Sequence, residues 1–281
     1  MNFVLNEELI EYTKNHKEPF VKSAHHMISQ CLELDKEIPN DYRWLFSSKD
    51  SLEQQVKVIT DGDSKKVNYI YWNDQASNIE AYCYMTFWRG VELIKSCVNG
   101  LNARDTIAPA IAARSLLELS TVFLLNANTL EKTFSKVTFP DKTVVCSTEV
   151  EELVVKMIWG TRYDNPEPHL QQTNIMTSLK KLAKNPNAKE LMPKYEFLCD
   201  IAHPSFIGNT SYWSHVEGVT TDNREKRVIS RLTSRNFNAD ILDNTIWSLA
   251  WSSVCIKNSF EMLMKANNSL LDKLSTSNLT P

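Results

Sequence analysis

Residues 74–126 read DQASNIEAYCYMTFWRGVELIKSCVNGLNARDTIAPAIAARSLLELSTVFLLN, and their pattern decides the fold. Apolar residues recur at three- and four-residue spacings on both sides of Asn99-Gly100, and glycine is otherwise scarce. The spacing predicts one helix over about Asp74 to Val98, stopped by Asn99-Gly100. A second is predicted over about Asp105 to Asn126, with Asp105 as cap and Pro109 tolerated in the first turn. So short a connection makes the two an antiparallel hairpin.

Working outward, residues 6–39 predict two short helices broken near Pro19, the second ended by Pro39. Ser51 with Gln54 predicts a capping box for a helix reaching Thr60, and Thr148 with Glu151 predicts another for a helix to Trp159. Between them KVTFPDKTVVC, residues 136–146, has the alternation and Pro-Asp turn of a small hairpin. GTRYDNPEPHLQQ, residues 160–172, is the candidate internal boundary. Two helices follow, about Asn174 to Lys184 and Ala188 to Ala202. Residues 211–235 hold two β-biased runs around TTDNRE and predict a β-hairpin. A long amphipathic helix then runs to about Leu274, and residues 275–281 form a frayed tail. The expected fold is mainly α: a single multi-helix bundle over residues 1–274 around the central helical hairpin, with the β-hairpin before a long C-terminal helix.

The chain has 281 residues and a formal net charge of −3, which argues against gross electrostatic capture of nucleic acid or an anionic membrane. The N-terminus carries Glu7, Glu8 and Glu11 where an export signal needs a basic start, and no run of ~18 residues avoids charge or strong polarity. A cytoplasmic protein without membrane contact is expected. Six scattered cysteines without a CxxC pair fit reduced, small apolar residues, and no metal site or cofactor is expected. Nucleotide, hydrolase and zinc-protease motifs are absent, and the adjacent His25-His26 diverge on a helix.

Ionic residues interrupt the apolar helices. Arg114 and Glu118 lie four apart in the second, and Arg89 and Glu92 three apart in the first. Each pair is either a clamp between helices or a ligand-binding or catalytic element. His203 precedes Pro204, which disfavours the helical conformation there, so the histidine should end its helix and project from a fixed corner. It either meets Glu118, which would orient the imidazole, or caps helical carbonyls.

The pattern ARSLLEL within Met85 to Asn126, with YEFLCDIAHPSFIG from Tyr195 to Gly208, resembles a bacterial family of helical proteins. That family carries an Arg-Ser-(apolar)₂-Glu motif on one helix and Tyr-x-x-Leu followed by His-Pro on a later one. The likeness covers about a quarter of the chain. It implies a helical core similar to HEPN-type domains of bacterial defence and toxin systems, with Arg114, Glu118, Tyr195 and His203 at the motif positions and no established reaction. HEPN ribonucleases use an Arg-x(4 to 6)-His motif; here only Arg162 with His169 offers it, with Pro166 and Pro168 between.

Arg224, Lys226, Arg227, Arg231 and Arg235 lie close in sequence beside Tyr212, Trp213 and His215. Such a ribbon can bind a phosphate backbone and stack bases, or can be an exposed edge kept soluble by charge. Three readings follow: an interaction or ligand-sensing component of a defence or toxin module, with a protein partner or a second copy; a ribonuclease or other phosphate-handling enzyme; and a nucleic-acid-binding module.

Overall fold

The computed structural model describes residues 4–59, 63–161, 166–168, 170–204, 209–210, 213–230 and 238–276, among which lie ten named α-helices, a 3-10 turn at Pro186–Ala188 and one two-stranded antiparallel sheet. In chain order they are α1 (Glu7–Lys14), α2 (Pro19–Lys22), α3 (Ala24–Glu37), α4 (Lys49–Lys57), α5 (Ser64–Asn102), α6 (Ile107–Lys136), α7 (Thr148–Trp159), α8 (Ile175–Leu182), α9 (Leu191–Ala202), β1 (Ser214–Val219), β2 (Glu225–Ile229) and α10 (Ala239–Thr276). The fold is mainly α with a long C-terminal helix, as the sequence pattern implies.

Contacts divide the chain into two units, and three of the five chain boundaries between them fall inside the three longest helices. Unit 1 comprises Met1–Ile38, Trp88–Val122 and Ile175–Lys257; unit 2 comprises Pro39–Phe87, Phe123–Asn174 and Asn258–Pro281.

In unit 1, α5 and α6 meet at a corner that differs from the expected one. Gly100 does not stop the helix; a Cβ there would lie 2.6 Å from Pro109 Cγ, so glycine serves the close approach of the two helices. The helix ends at Asn102, and Arg104 takes the left-handed conformation (φ 59°) that reverses the chain, with Asp105 N–H donating to Gly100 O at 2.8 Å. Asn102 then ties the N-terminus down, accepting from Asn6 N–H and donating to Val4 O, each at 2.8 Å. Ile94, Leu116, Leu117, Leu198, Ile246 and Trp247 fill this unit's core. Residues 6–37 form three helices rather than two: Pro19 opens α2, and the chain breaks again at Ser23. Extended backbone at Ile38 precedes Pro39.

Unit 2 has Trp72, Ile79, Phe123 and Leu130 at its core. Its part of α5 is covered by two straps. In residues 39–48, Tyr42 donates to Glu80 at 3.0 Å and packs its ring, tilted by 33°, against Tyr84. Trp44 Nε1 donates to Asn78 Oδ1 at 3.0 Å, and Ser47 bonds Asp74. The second strap replaces the hairpin expected over 136–146: residues 143–147 lie extended with backbone groups bonded to helix side chains. Asn68 donates to Thr143 O and accepts from Val145 N–H, Trp72 Nε1 donates to Val145 O, and the Tyr71 hydroxyl serves both backbone groups of Ser147. Polar side chains thus supply what a second strand would have supplied. Lys142 (φ 58°) makes the preceding turn.

Both capping boxes are displaced. Ser48 Oγ, not Ser51, accepts from the first turn of α4, and Ser147 Oγ, not Thr148, accepts from Val150 N–H.

Among the described residues, one helix, Ile107–Lys136, is long and apolar enough to cross a membrane by length and composition, a property that core helices share; half of its most apolar window is buried inside the protein.

Candidate functional site

Two pairs of side chains, each one helical turn apart, meet in unit 1. On α6, Arg114 and Glu118 lie at the margin of a buried stripe formed by Ala113, Leu116, Leu117 and Ser120. On α9, Tyr195 lies in the stripe of Leu191, Leu198 and Ile201, with Cys199 beside it and half-buried.

The hydrogen bonds form one connected set. Arg114 Nε donates to Cys199 Sγ at 3.1 Å, and Nη2 lies 3.1 Å from Glu118 Oε1 and 3.4 Å from the Tyr195 hydroxyl. That hydroxyl donates to Glu118 Oε1 at 2.7 Å. The guanidinium carbon stands 5.5 Å from the Tyr195 ring centroid, within cation–π range. Burial and the bond to Glu118 both push the Tyr195 phenol up, so it is neutral and donating. Burial opposes the Arg114 charge, but the bond to Cys199 and the Glu118 carboxylate outweigh it. Arg114 and Glu118 side chains remain 30% and 33% exposed, so solvent reaches the cluster. Among the described residues, Arg114 Nη1 and Glu118 Oε2 have no partner.

His203 does not join this set. It is the C-cap of α9 with extended backbone (φ −85°, ψ 140°), as Pro204 requires, and its N–H donates to Cys199 O at 3.0 Å. Its side chain is exposed, with no hydrogen bond or ion pair to Arg114 or Glu118 among the described residues. The physical reason is distance along the helix: eight residues separate it from Tyr195, about 12 Å of rise. Cys199 takes the place expected for the histidine. It lies four residues after Tyr195 on the same helical face, a spacing that could have identified it.

Arg89 and Glu92 lie on the solvent face of α5, and no ion pair joins them among the described residues. The intervening Gly90 and Val91 are buried, so the three-residue step carries both charges outward. The β-hairpin forms with a bulge between Val216 and Gly218, and Asn223 (φ 65°) in its turn. Its cations are answered within it: Arg224 pairs with Asp222 at 2.7 Å, and Lys226 with Glu217 and Arg227 with Glu225 at 2.6 Å each. Arg231, Arg235 and Tyr212, like Arg162 and His169, lie outside the described residues.

A further polar cluster in unit 1 was not singled out by its sequence. His16 Nδ1 accepts from Glu18 N–H at 3.1 Å, so Nε2 carries the proton toward Asp243 Oδ2, also at 3.1 Å. Tyr12 donates to the other carboxylate oxygen. Tyr12 of α1 and His16 just beyond its end thus fasten the N-terminal segment to Asp243 of α10. No group of three or more His, Cys, Asp or Glu able to hold a metal occurs among the described residues.

No family model, curated protein or solved structure matches the chain.

Proposed function

We propose that the protein is a noncatalytic interaction or ligand-sensing component, of the kind that serves bacterial defence and toxin modules, with the Arg114–Glu118–Tyr195–Cys199 cluster as its recognition element. The observation that carries this reading is that, at a cluster about one-third exposed, the donor Arg114 Nη1 and the acceptor Glu118 Oε2 have no partner among the described residues. The remaining polar atoms hold those two groups in place, which is how a preorganised site limits the entropy lost on binding. A neutralised guanidinium–carboxylate pair favours a ligand offering an acceptor beside a donor, such as a carboxamide, over a bare anion.

The test is a thermal-melt titration with acetamide and acetate on wild type, Arg114→Lys and Glu118→Gln. A saturable rise in melting temperature with acetamide, weaker with acetate and lost in both variants, supports recognition. If neither probe shifts the wild type and the variants melt lower, the cluster is only a clamp between α6 and α9.

A further inference from the structure

Helix α4 is amphipathic, yet none of its described side chains is buried. Leu52 and Val56, one turn apart, instead line a cavity of about 340 Å³ whose other walls are Val67, Ile70 and Tyr71 of α5 and Cys146 of the second strap. A nine-residue helix is marginal alone, so its place depends on what its apolar face meets.

The wall has little polarity to offer. The Tyr71 hydroxyl is spent on Ser147, accepting from its N–H at 3.0 Å and donating to its carbonyl at 3.2 Å. Glu53 and Lys57, the two charged residues of the lining, pair with each other at 3.6 Å and leave no net charge. What remains is aliphatic surface, a ring face and a thiol. Burial and the Glu151 charge push the Cys146 thiol up, toward its neutral form.

We propose that this cavity binds a neutral, compact hydrocarbon-like small molecule between α4 and α5. A charged or strongly hydrogen-bonding ligand would surrender its hydration with nothing to replace it, whereas a hydrocarbon gains by covering this solvent-open apolar surface. A cavity of about 150 Å³ accepts one benzene ring, so this one has room for about two fused rings. Its volume also falls within the usual range of small-molecule sites. The site lies wholly in unit 2 and does not depend on the reading of the Arg114 cluster.

Cys146 provides the readout. Iodoacetamide alkylation of the native full-length protein is followed at the Cys146 peptide by mass, with increasing naphthalene. The Cys146 rate should fall several-fold and saturably, while the Cys199 rate stays constant. Ile70→Trp, which fills the space, should abolish the protection; if that variant does not fold, Val56→Asp on exposed α4 serves instead. Naphthalene-2-sulfonate should protect far less than naphthalene. The proposal is overturned if saturating naphthalene leaves the Cys146 rate unchanged, if protection survives the filled or charged variant, if the sulfonate protects equally, or if Cys146 is inert without any probe because α4 has closed over it.

Discussion

The Tyr195 hydroxyl donates to Glu118 at 2.7 Å and accepts from Arg114 at 3.4 Å, so one phenol bridges both members of an ion pair on the neighbouring helix. The residue is 3% exposed, and its ring also carries the guanidinium on its face. Tyr195→Phe keeps the ring and deletes only the bridge. A hydrogen bond to a charged group is worth about 1.5–3 kcal/mol. In a chain of this size that corresponds to a fall in melting temperature of roughly 2–4 °C per kcal/mol, read by calorimetry. An unchanged melting temperature would show that the phenol contributes nothing beyond its ring.

Arg114 precedes Glu118 by one turn, the weaker orientation for an intrahelical pair, so most of the pair's worth comes from α9. Removing Glu118 leaves the guanidinium with a phenol and a thiol, neither of them charged. A sealed pair would then lose about 3–5 kcal/mol, but one-third exposure screens the remaining charge, and about 1–2 kcal/mol is expected for Glu118→Leu. Arg114→Met with Glu118→Leu should cost less than the sum of the single changes, because no lone charge is left. Chemical denaturation of the four proteins measures that coupling, and strict additivity would show that the two charges do not interact.

The central hairpin was legible because its signals are local: apolar spacing, a short connection and a proline in a first turn. Its corner was misread for an equally local reason. Glycine usually ends a helix, but Gly100 is set by Pro109 nine residues away, and the left-handed position fell to Arg104. The second strap of unit 2 was hidden because its hydrogen bonds come from Asn68, Tyr71 and Trp72, whose helical spacing gives no hint of backbone partners more than seventy residues on. At the site, Arg114, Glu118 and Tyr195 form a connected hydrogen-bonded set, while Cys199 was read only as a small apolar residue. Its role arises from a guanidinium 85 positions earlier, and only its place four residues after Tyr195 on the same helical face hinted at it.

Asp74 is nearly buried, accepts from Asn78 Nδ2 at 3.1 Å through one oxygen, and has a second oxygen with no partner among the described residues. Burial pushes its carboxyl above the usual range, against the opposing bonds from Ser47 and Asn78. A folded-state value above the unfolded one means that the native protein holds the proton more tightly. The associated stability is complete below the unfolded carboxylate range and is lost as pH rises through the folded value. Asp74→Asn should therefore show its greatest advantage over wild type at neutral pH, shrinking toward acid. Urea unfolding at pH 4 and pH 7.5 checks this; an advantage independent of pH would assign the effect to packing.

Gly90 and Gly100 both lie inside α5, where alanine ordinarily gains about 1 kcal/mol in helix propensity. Their surroundings differ in stiffness. A Cβ at Gly90 would come within 2.8 Å of Ile256 Cδ1, the end of a side chain that can change rotamer. A Cβ at Gly100 would come within 2.6 Å of Pro109 Cγ and 3.0 Å of Cδ, part of a ring that cannot turn aside. Relief there requires α5 and α6 to separate, at the corner from which α6 leads to Arg114 and Glu118. Gly90→Ala should stay within about 1 kcal/mol of wild type, whereas Gly100→Ala should lose about 1–3 kcal/mol to overpacking. Thermal unfolding of the two variants measures the difference, and the reverse order would show that the corner is more compliant than its proline suggests.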